Sequence, residues 1–447
     1  MSKINKRDLQ RPSGFPDLSP VQAIAIRDAT SIIREEYELA GFSPMTTSIV
    51  ERPEVLTAKN EGEILNQIYG LRLLNPASDA QDDSKELALR FDHTVPLARY
   101  VATLYHELEF PFRRYAIGPV FRGERPKDGR YRQFTQADID IIGNGSLDLL
   151  HDAEMVAVIA RIFTRLDVGT FTIRIGHRKV LQGLLQAVGL QDEVLQAKAL
   201  QEIDRLEKIG RKNVTKNLCD IGMSEVNAEA LLQQLETTSL DTLTDLATEN
   251  SLLREGIEEL SEVLHGVEAH AVDSAHYQLD LTIARGLAYY TGTVYETRLD
   301  SNPGLGSIAS GGRYENLTGA FSNHSLPGVG ISIGVTRMMK RLIQAGIYPA
   351  DRKTVARVLV AQATTSPKTR IQALEVAAML RQQRIATEVY IDSARLAKQL
   401  QFADRRGFTW VVILGIPDME PGHVAVRTLA TGEEERIPIK LLPTKLS

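Results

Sequence analysis

Residues 118–143 read GPVFRGERPKDGRYRQFTQADIDIIG, and two extended segments around a polar turn account for the pattern. Alternate residues of an extended chain share a face. Arg122 and Glu124 therefore point the same way on the first segment. Beyond the turn at Pro126 to Gly129, Arg132, Phe134, Gln136, Asp138 and Asp140 share one face of the second. Paired as a hairpin, the two segments offer guanidinium groups, an aromatic plane, an amide and carboxylates on one surface. Arginine grips phosphate oxygens through bidentate charged hydrogen bonds. A phenylalanine face can stack on a nucleobase, and carboxylates suit a cationic or N–H-donating ligand. A salt-bridged surface hairpin carries the same alternation, so the pattern alone leaves both readings open.

Outward from this hairpin the chain changes character several times. Ala23 to Ala40 carries Ile26, Ala29, Ile33 and Tyr37 at helical spacing, with Gly41 as the stop. Thr94-Val95-Pro96 predicts a helix start, with Thr as cap and Pro in the first turn. TFTIRI at 170–175 alternates strictly and predicts a strand. Val180 to Ala271 is acidic, Leu-rich and free of proline, which predicts a helical insertion. Strand-like text resumes from Tyr277 to about Tyr295, before Gly-rich stretches at Gly304–Gly312 and Gly328–Gly334. AGIYPADRKT (345–354) reads as a linker. Strand-like VLVAQA (358–363), helices near 367–383 and 393–406, and the buried run WVVILG (410–415) then predict a small three-layer domain with a mostly parallel sheet.

The composition, 43% hydrophobic and 24% charged over 447 residues, is that of a globular chain with two or three domains. Cys219 is the single cysteine, so no internal disulfide forms, and a lone thiol fits a reducing compartment. The polar start and the lack of any apolar run near ~18 residues lead us to expect a cytoplasmic protein with no membrane segment. Net charge is −5, yet residues 352–447 carry 15 Lys and Arg against 9 Asp and Glu. A basic end on an acidic chain is compatible with nucleic-acid binding and equally with a solvated surface. No His or Cys cluster has metal-ligand spacing, and neither GxxxxGK[ST] nor GxGxxG follows a strand. No metal held by the protein alone is expected.

Phe121-Arg122-Gly123-Glu124-Arg125 with Gly129-Arg130-Tyr131-Arg132-Gln133-Phe134 resembles motif 2 of class II aminoacyl-tRNA synthetases, in the form found in histidine–tRNA ligases. The resemblance implies that Arg122 contacts the α-phosphate of ATP, that Phe134 stacks on adenine with Glu124 and Arg130 nearby, and that Gln136 and Asp140 face histidine. Ala284 to Gly292, ARGLAYYTG, is by itself an Arg–Gly turn and a tyrosine pair, which is more often core. It resembles the RGLxYYTG signature of the same family. The resemblance implies that Arg285 stabilises the reacting phosphate, that Arg285, Tyr289 and Tyr290 bind histidine, and that one tyrosine contacts the imidazole; Ala288 stands where the family usually has Asp. Gly311-Gly312-Arg313-Tyr314 places Tyr314 among the histidine-binding positions. Gly328 to Arg337 resembles motif 3, with Arg337 on the γ-phosphate and Thr336 where an acid often stands. Asp92 and Thr94 of RFDHT match residues that bind the α-amino group, a role compatible with helix capping. Residues near 43–53 stand where motif 1 and its dimer contacts lie.

The implied fold is α+β: a class II antiparallel sheet flanked by helices, with a helical insertion and a C-terminal α/β anticodon-binding domain. The implied division is a catalytic core at 1–178 and 273–345, an insertion at 179–272 and the anticodon-binding domain at 354–447. Arg122, Arg285 and Arg337 are the expected charge stabilisers. ATP with Mg2+ on its phosphates, L-histidine, tRNA and a second copy of the chain are the expected ligands and partners. Two rivals remain at this point. One is a synthetase-like regulatory subunit of histidine biosynthesis without ligase activity, which typically lacks the last domain. The other is a class II ligase for threonine, proline or glycine, against which residues 285–292 argue.

Overall fold

A computed structural model describes residues 9–58, 62–72, 86–125, 130–237, 239–247, 250–283, 290–364 and 366–446. These group into two compact units. The larger runs over Ala29–Tyr348 with the N-terminal residues through Asp17; the smaller is built from Leu18–Asp28 and the chain from Pro349 onward.

The larger unit is organised by an eight-stranded sheet. Its strands are β1 (Ser43–Pro44), β5 (Phe112–Phe121), β6 (Gln133–Ile142), β7 (Phe171–His177), β8 (Tyr277–Leu279), β9 (Thr293–Leu299), β10 (Ala309–Tyr314) and β11 (Gly328–Ile333), in the spatial order β1-β5-β6-β11-β10-β9-β7-β8. The remaining short strands, β2 (Val50–Glu51), β3 (Gly70–Leu71) and β4 (Leu87–Leu89), form a separate antiparallel sheet. Pairings in the large sheet are antiparallel except at the two edges, where β1–β5 and β7–β8 run parallel.

The expected hairpin is β5–β6, and its register pairs Gly118 with Gln136 and Arg114 with Asp140. Odd-numbered Ala137, Ile139 and Ile141 of β6 are fully buried. The helix expected at 23–40 is α1 (Pro20–Leu39), whose Tyr37 hydroxyl donates to the Ala137 carbonyl at 3.0 Å. Gly41 follows with φ +78°, the left-handed conformation that ends helices. Arg122 and Glu124 lie past the end of β5 rather than within it, although the Arg122 amide still donates to the Arg132 carbonyl. Arg132 leaves the shared face: its guanidinium donates to the Glu124 carbonyl at 3.1 Å and packs against Gly14.

After the short helix α2 (Pro53–Thr57), α3 (Thr94–Thr103) begins where expected, but Thr94 is not its cap. The Asp92 carboxylate takes that place, with Oδ1 accepting from the amides of Thr94 and Val95 at 3.0 Å each. Helix α4 (Leu150–Arg165) follows β6. The Leu-rich segment forms α5 (Arg178–Ala187), α6 (Glu193–Ile203), α7 (Leu206–Ile209), α8 (Arg211–Asp220), α9 (Glu225–Thr237), α10 (Leu240–Leu246) and α11 (Ser251–Ala269). The strand-like text from Tyr277 to Tyr295 is not one strand. It breaks after β8, where Asp280 Oδ1 accepts from the Thr282 amide and hydroxyl, and β9 starts only at Thr293. Arg285, Ala288 and Tyr289 lie outside the described residues, as does the turn at 126–129.

The smaller unit has strands β12 (Val358–Gln362), β13 (Thr387–Val389), β14 (Trp410–Leu414), β15 (His423–Thr428) and β16 (Glu434–Pro438), in the order β13-β12-β14-β15-β16. Its sheet is mixed rather than mostly parallel. β12 pairs parallel with β13 and β14, and β14–β15 and β15–β16 are antiparallel. The antiparallel half comes from a terminal hairpin whose last strand is mostly exposed and charged, so its sequence lacks a buried-strand signature. Helices α13 (Pro367–Gln382) and α14 (Leu396–Arg406) complete the α/β pattern, and α15 (Leu442–Leu446) ends the described chain; α12 (Val335–Gln344) belongs to the larger unit.

One buried ion pair ties α4 to the sheet. Arg313 of β10, 5% exposed, reaches fully buried Asp152 at 2.8 Å and also donates to the Leu147 and Asp148 carbonyls. Losing one member of such a pair strands the other charge in a low dielectric, at a cost of about 3–5 kcal/mol. Asp152→Ala should destabilise the chain by that order in urea unfolding. A loss under about 1 kcal/mol would show that the pair does not hold the helix to the sheet.

Candidate active site

Four antiparallel strands, β5, β6, β11 and β10, form the floor of the site. Their even-numbered or glycine positions keep it open. Gly330 lies opposite Asp140, and a Cβ there would fall 2.2 Å from Asp140 Oδ1. At Gly328 a Cβ would meet the Tyr314 ring at 2.4 Å. Glycine lets the acid and the tyrosine approach the neighbouring strand.

Two cavities adjoin on this floor. The larger, of about 330 Å3, is lined by Arg122, Glu124, Arg130, Phe134, Gln136 and Arg337, with Leu305, Ser307 to Ser310, Ser332 and others. The smaller, of about 40 Å3, is lined by Thr94, Asp138, Asp140, Tyr290 and Tyr314, with Ser310 and Ser332 shared between the two.

In the larger cavity the Arg122 guanidinium lies over the Phe91 ring at 4.4 Å and the Phe134 ring at 5.3 Å, and donates to the Phe91 carbonyl. Arg130 and Glu124 form a loose ion pair of 3.5 Å. Gly123 donates to the Gln67 carbonyl at 2.7 Å, and a Cβ at Gly123 would crowd that backbone, so the glycine lets the Arg–Gly–Glu stretch lie against the chain. Arg337 projects from the first turn of α12 and donates to the Leu305 carbonyl at 3.0 Å. Thr336, the departure beside it, is buried and accepts the Thr135 amide at 2.9 Å. Gln136, expected against histidine, lines the larger cavity. Its amide donates to Ser332 at 2.6 Å, and its carbonyl faces Arg122 at 3.5 Å.

The smaller cavity is acidic. Asp140 is held on both sides, with Oδ2 2.5 Å from Arg114 Nη2 and Oδ1 accepting from the Tyr314 hydroxyl at 3.0 Å. Arg114 is fully buried and was not singled out from the sequence. Its position across the hairpin was the available signal: 114 and 140 lie at nearly equal distances from the turn. Asp92 sits at the start of α3, close enough to raise the pKa of both Asp138 and Asp140. His93 is buried against the Gly118 carbonyl, and burial with Arg114 and Arg90 nearby holds its pKa down at about 3, so it stays neutral.

Burial pushes Asp138 up to about 6 and Asp140 up to about 7, outweighing the opposing pull of Arg114 on each. Both protons are held more tightly by the folded chain than by the unfolded one. The stability this contributes is full below the ordinary carboxylate pKa of about 4 and is lost as pH rises through 6 to 7. The unfolding free energy of the parent, relative to Asp140→Asn, should therefore fall between pH 4 and 7 in urea melts at fixed ionic strength. A difference independent of pH would mean that this carboxyl titrates normally.

A family model described as histidyl-tRNA synthetase matches residues 14–338, and an anticodon binding domain model matches residues 356–447. The histidine–tRNA ligase of Clostridium tetani is 39% identical over 97% of this chain and 98% of its own. That of Xylella fastidiosa is 41% identical over 97% of each. A histidyl-tRNA synthetase crystal structure from Nostoc sp. PCC 7120 superimposes with a TM-score of 0.89 at 38% identity, covering 99% of both chains. An ATP phosphoribosyltransferase regulatory subunit/histidyl-tRNA synthetase from Bacillus halodurans, at 18% identity and a TM-score of 0.72, shares the fold. With a family model covering most of its length and relatives near 40% identity end to end, the chain belongs to the histidyl-tRNA synthetase family.

Proposed function

We propose that this chain ligates L-histidine to its tRNA through a histidyl-adenylate. The observation that carries the reading is the pair of adjoining cavities, one lined by arginines and an aromatic ring, the other by buried acids. The first suits a nucleoside triphosphate and the second a cationic amino acid, and they meet at Ser310 and Ser332.

In the first step a histidine carboxylate oxygen attacks the α-phosphorus of ATP. An O–P bond forms, the bond to the β-phosphate oxygen breaks, and pyrophosphate leaves. In the second step the terminal ribose hydroxyl of the tRNA attacks the activated carbonyl and AMP leaves. Such displacements depend on alignment and charge neutralisation. Arg122 is assigned to the α-phosphate, Arg337 to the γ-phosphate and Arg285 to the reacting phosphate, with Phe134 under adenine and Glu124 and Arg130 beside it. Asp92, Thr94, Gln136, Asp140, Tyr289, Tyr290 and Tyr314 are assigned to histidine, Gln136 from the cavity boundary. Mg2+ fits the larger cavity as a cation held chiefly by phosphate oxygens, with Glu124 the one lining carboxylate and no group of three acidic, His or Cys ligands among the described residues. It would neutralise phosphate charge there.

Residues 354–447 are assigned to the anticodon, residues 179–272 to an insertion, and the rest of the larger unit to catalysis. A homodimer through the segment near 43–53 and a cytoplasmic location complete the reading. They are supported by the family's resemblance at that segment and by the single thiol, Cys219, which is free. Among the described residues no helix is long and apolar enough to cross a membrane. The regulatory-subunit alternative is weakened by the match of residues 356–447 to the anticodon binding domain.

Pyrophosphate exchange with a panel of amino acids tests the reading directly. Histidine alone should support exchange, and Arg337→Ala should lower its rate by about 10²–10³, the scale of losing one preorganised donor to a charged transition state. Exchange driven equally by threonine, proline or glycine would overturn the assignment. A chain that binds histidine yet neither exchanges pyrophosphate nor charges tRNA would be a regulator.

A further inference from the structure

The acidic cavity contains more carboxylate oxygen than its protein donors use. Asp140 is committed on both oxygens, to Arg114 and to Tyr314. Asp92 spends Oδ1 on two helix amides. Asp138 differs. It is 4% exposed, lines the smaller cavity, and its Oδ1 has no hydrogen-bond partner. Among the described residues it forms no ion pair within 4 Å; only Ser332 comes within hydrogen-bonding reach of its carboxylate. Leaving a buried polar atom unmatched costs about 1–3 kcal/mol, and more for a charged group. Native chains pair nearly all such atoms, so an orphan on a residue that lines a cavity points to a donor that arrives with a ligand.

The strand geometry supports the same conclusion. Phe134, Gln136, Asp138 and Asp140 lie on one face of β6 at two-residue steps. Asp138 therefore sits between the residue that reaches Arg122 and the residue that reaches Arg114. Ser332 accepts from Gln136 at 2.6 Å, lies beside Asp138 and lines both cavities, so Asp138 stands next to their junction.

We propose that Asp138 is a specificity-determining residue whose Oδ1 accepts an N–H of the bound histidine, from its α-ammonium or its imidazole. This rests on the histidine-activating reading of the site. It shifts part of the recognition assigned to Asp140 onto a neighbour with a free acceptor.

The test is Asp138→Asn, which keeps the shape and removes the charge, assayed by histidine-dependent pyrophosphate exchange with the full chain. The KM for histidine should rise about 10–100-fold, the worth of one charge-assisted hydrogen bond, while the KM for ATP stays within about threefold. Imidazolepropionate, which lacks the amine, and β-(2-thienyl)alanine, which lacks the ring N–H, serve as competitors of parent and variant. The analogue whose inhibition is unchanged by the substitution is the one missing the partner of Asp138. Asp138→Ala, with room for a water, serves as the second variant if the amide does not fold. A folded variant whose KM for histidine stays within threefold of an active parent overturns the Asp138 assignment alone. Equal losses for histidine, ATP and both analogues also overturn it, by showing that Asp138 merely supports Arg114. A parent with no histidine-dependent exchange overturns the ligase reading and this inference with it.

Discussion

Arg114 is fully buried, and its Nη2 lies 2.5 Å from Asp140 Oδ2. Taking a guanidinium out of water costs several kcal/mol unless a counter-charge is fixed beside it. That requirement propagates through four strands. The β5–β6 register must keep residue 114 opposite residue 140, because a one-residue slip would turn one of the two charges to the other face. The other Asp140 oxygen takes the Tyr314 hydroxyl from β10, so β10 must approach across β11. It can do so because β11 presents Gly328 beneath the Tyr314 ring and Gly330 opposite Asp140. One buried charge thus fixes the relative placement of every strand on which a proposed ligand-binding side chain of the sheet is mounted.

The same strand also orders the chemistry. Phe134 to Asp140 spans six steps of about 3.4 Å, or roughly 20 Å, which is the scale of a nucleotide and an amino acid laid end to end. Along that length the even-numbered face of β6 changes from aromatic to amide to carboxylate. Arg122 and Arg337 stand at the first end and Arg114 at the other, but Arg114 is neutralised by a contact of its own. The first end therefore offers guanidinium groups to an anion, and the second offers carboxyl oxygens to an N–H donor. Burial strengthens this separation, since interactions gain as the local dielectric falls.

Much of this was legible in the sequence. Alternation around the 126–129 turn announced the hairpin and the shared face of Phe134, Gln136, Asp138 and Asp140, and Gly41 and Pro96 marked helix ends that the structure keeps within a few residues. What stayed hidden depended on partners distant in the chain. Arg132 sits on the expected face by parity, yet the Glu124 carbonyl and Gly14 draw it away. Arg313 looked like part of a glycine-rich motif, yet its partner is Asp152, 161 residues earlier. Thr94 has the right chemistry for a cap, but an acid two residues earlier reaches the same amides. The strand after Glu434 is mostly exposed, so no apolar alternation marks it.

Thr336 stands where the resemblance leads one to expect an acid, and its hydroxyl meets a backbone need that an acid could also meet. The amide of Thr135 opens toward α12 near the start of β6 and needs an acceptor there, because an unpaired backbone N–H in a partly buried position is costly. A carboxylate and a hydroxyl can both supply it, and the Thr336 hydroxyl does so at 2.9 Å. The two differ in charge. An acid at 336 would place a negative charge one residue from Arg337 at the wall of the cavity assigned to the triphosphate. Coulomb repulsion between that acid and a phosphate would be felt strongly in so buried a place. The hydroxyl keeps the strand anchored without adding a negative charge beside Arg337.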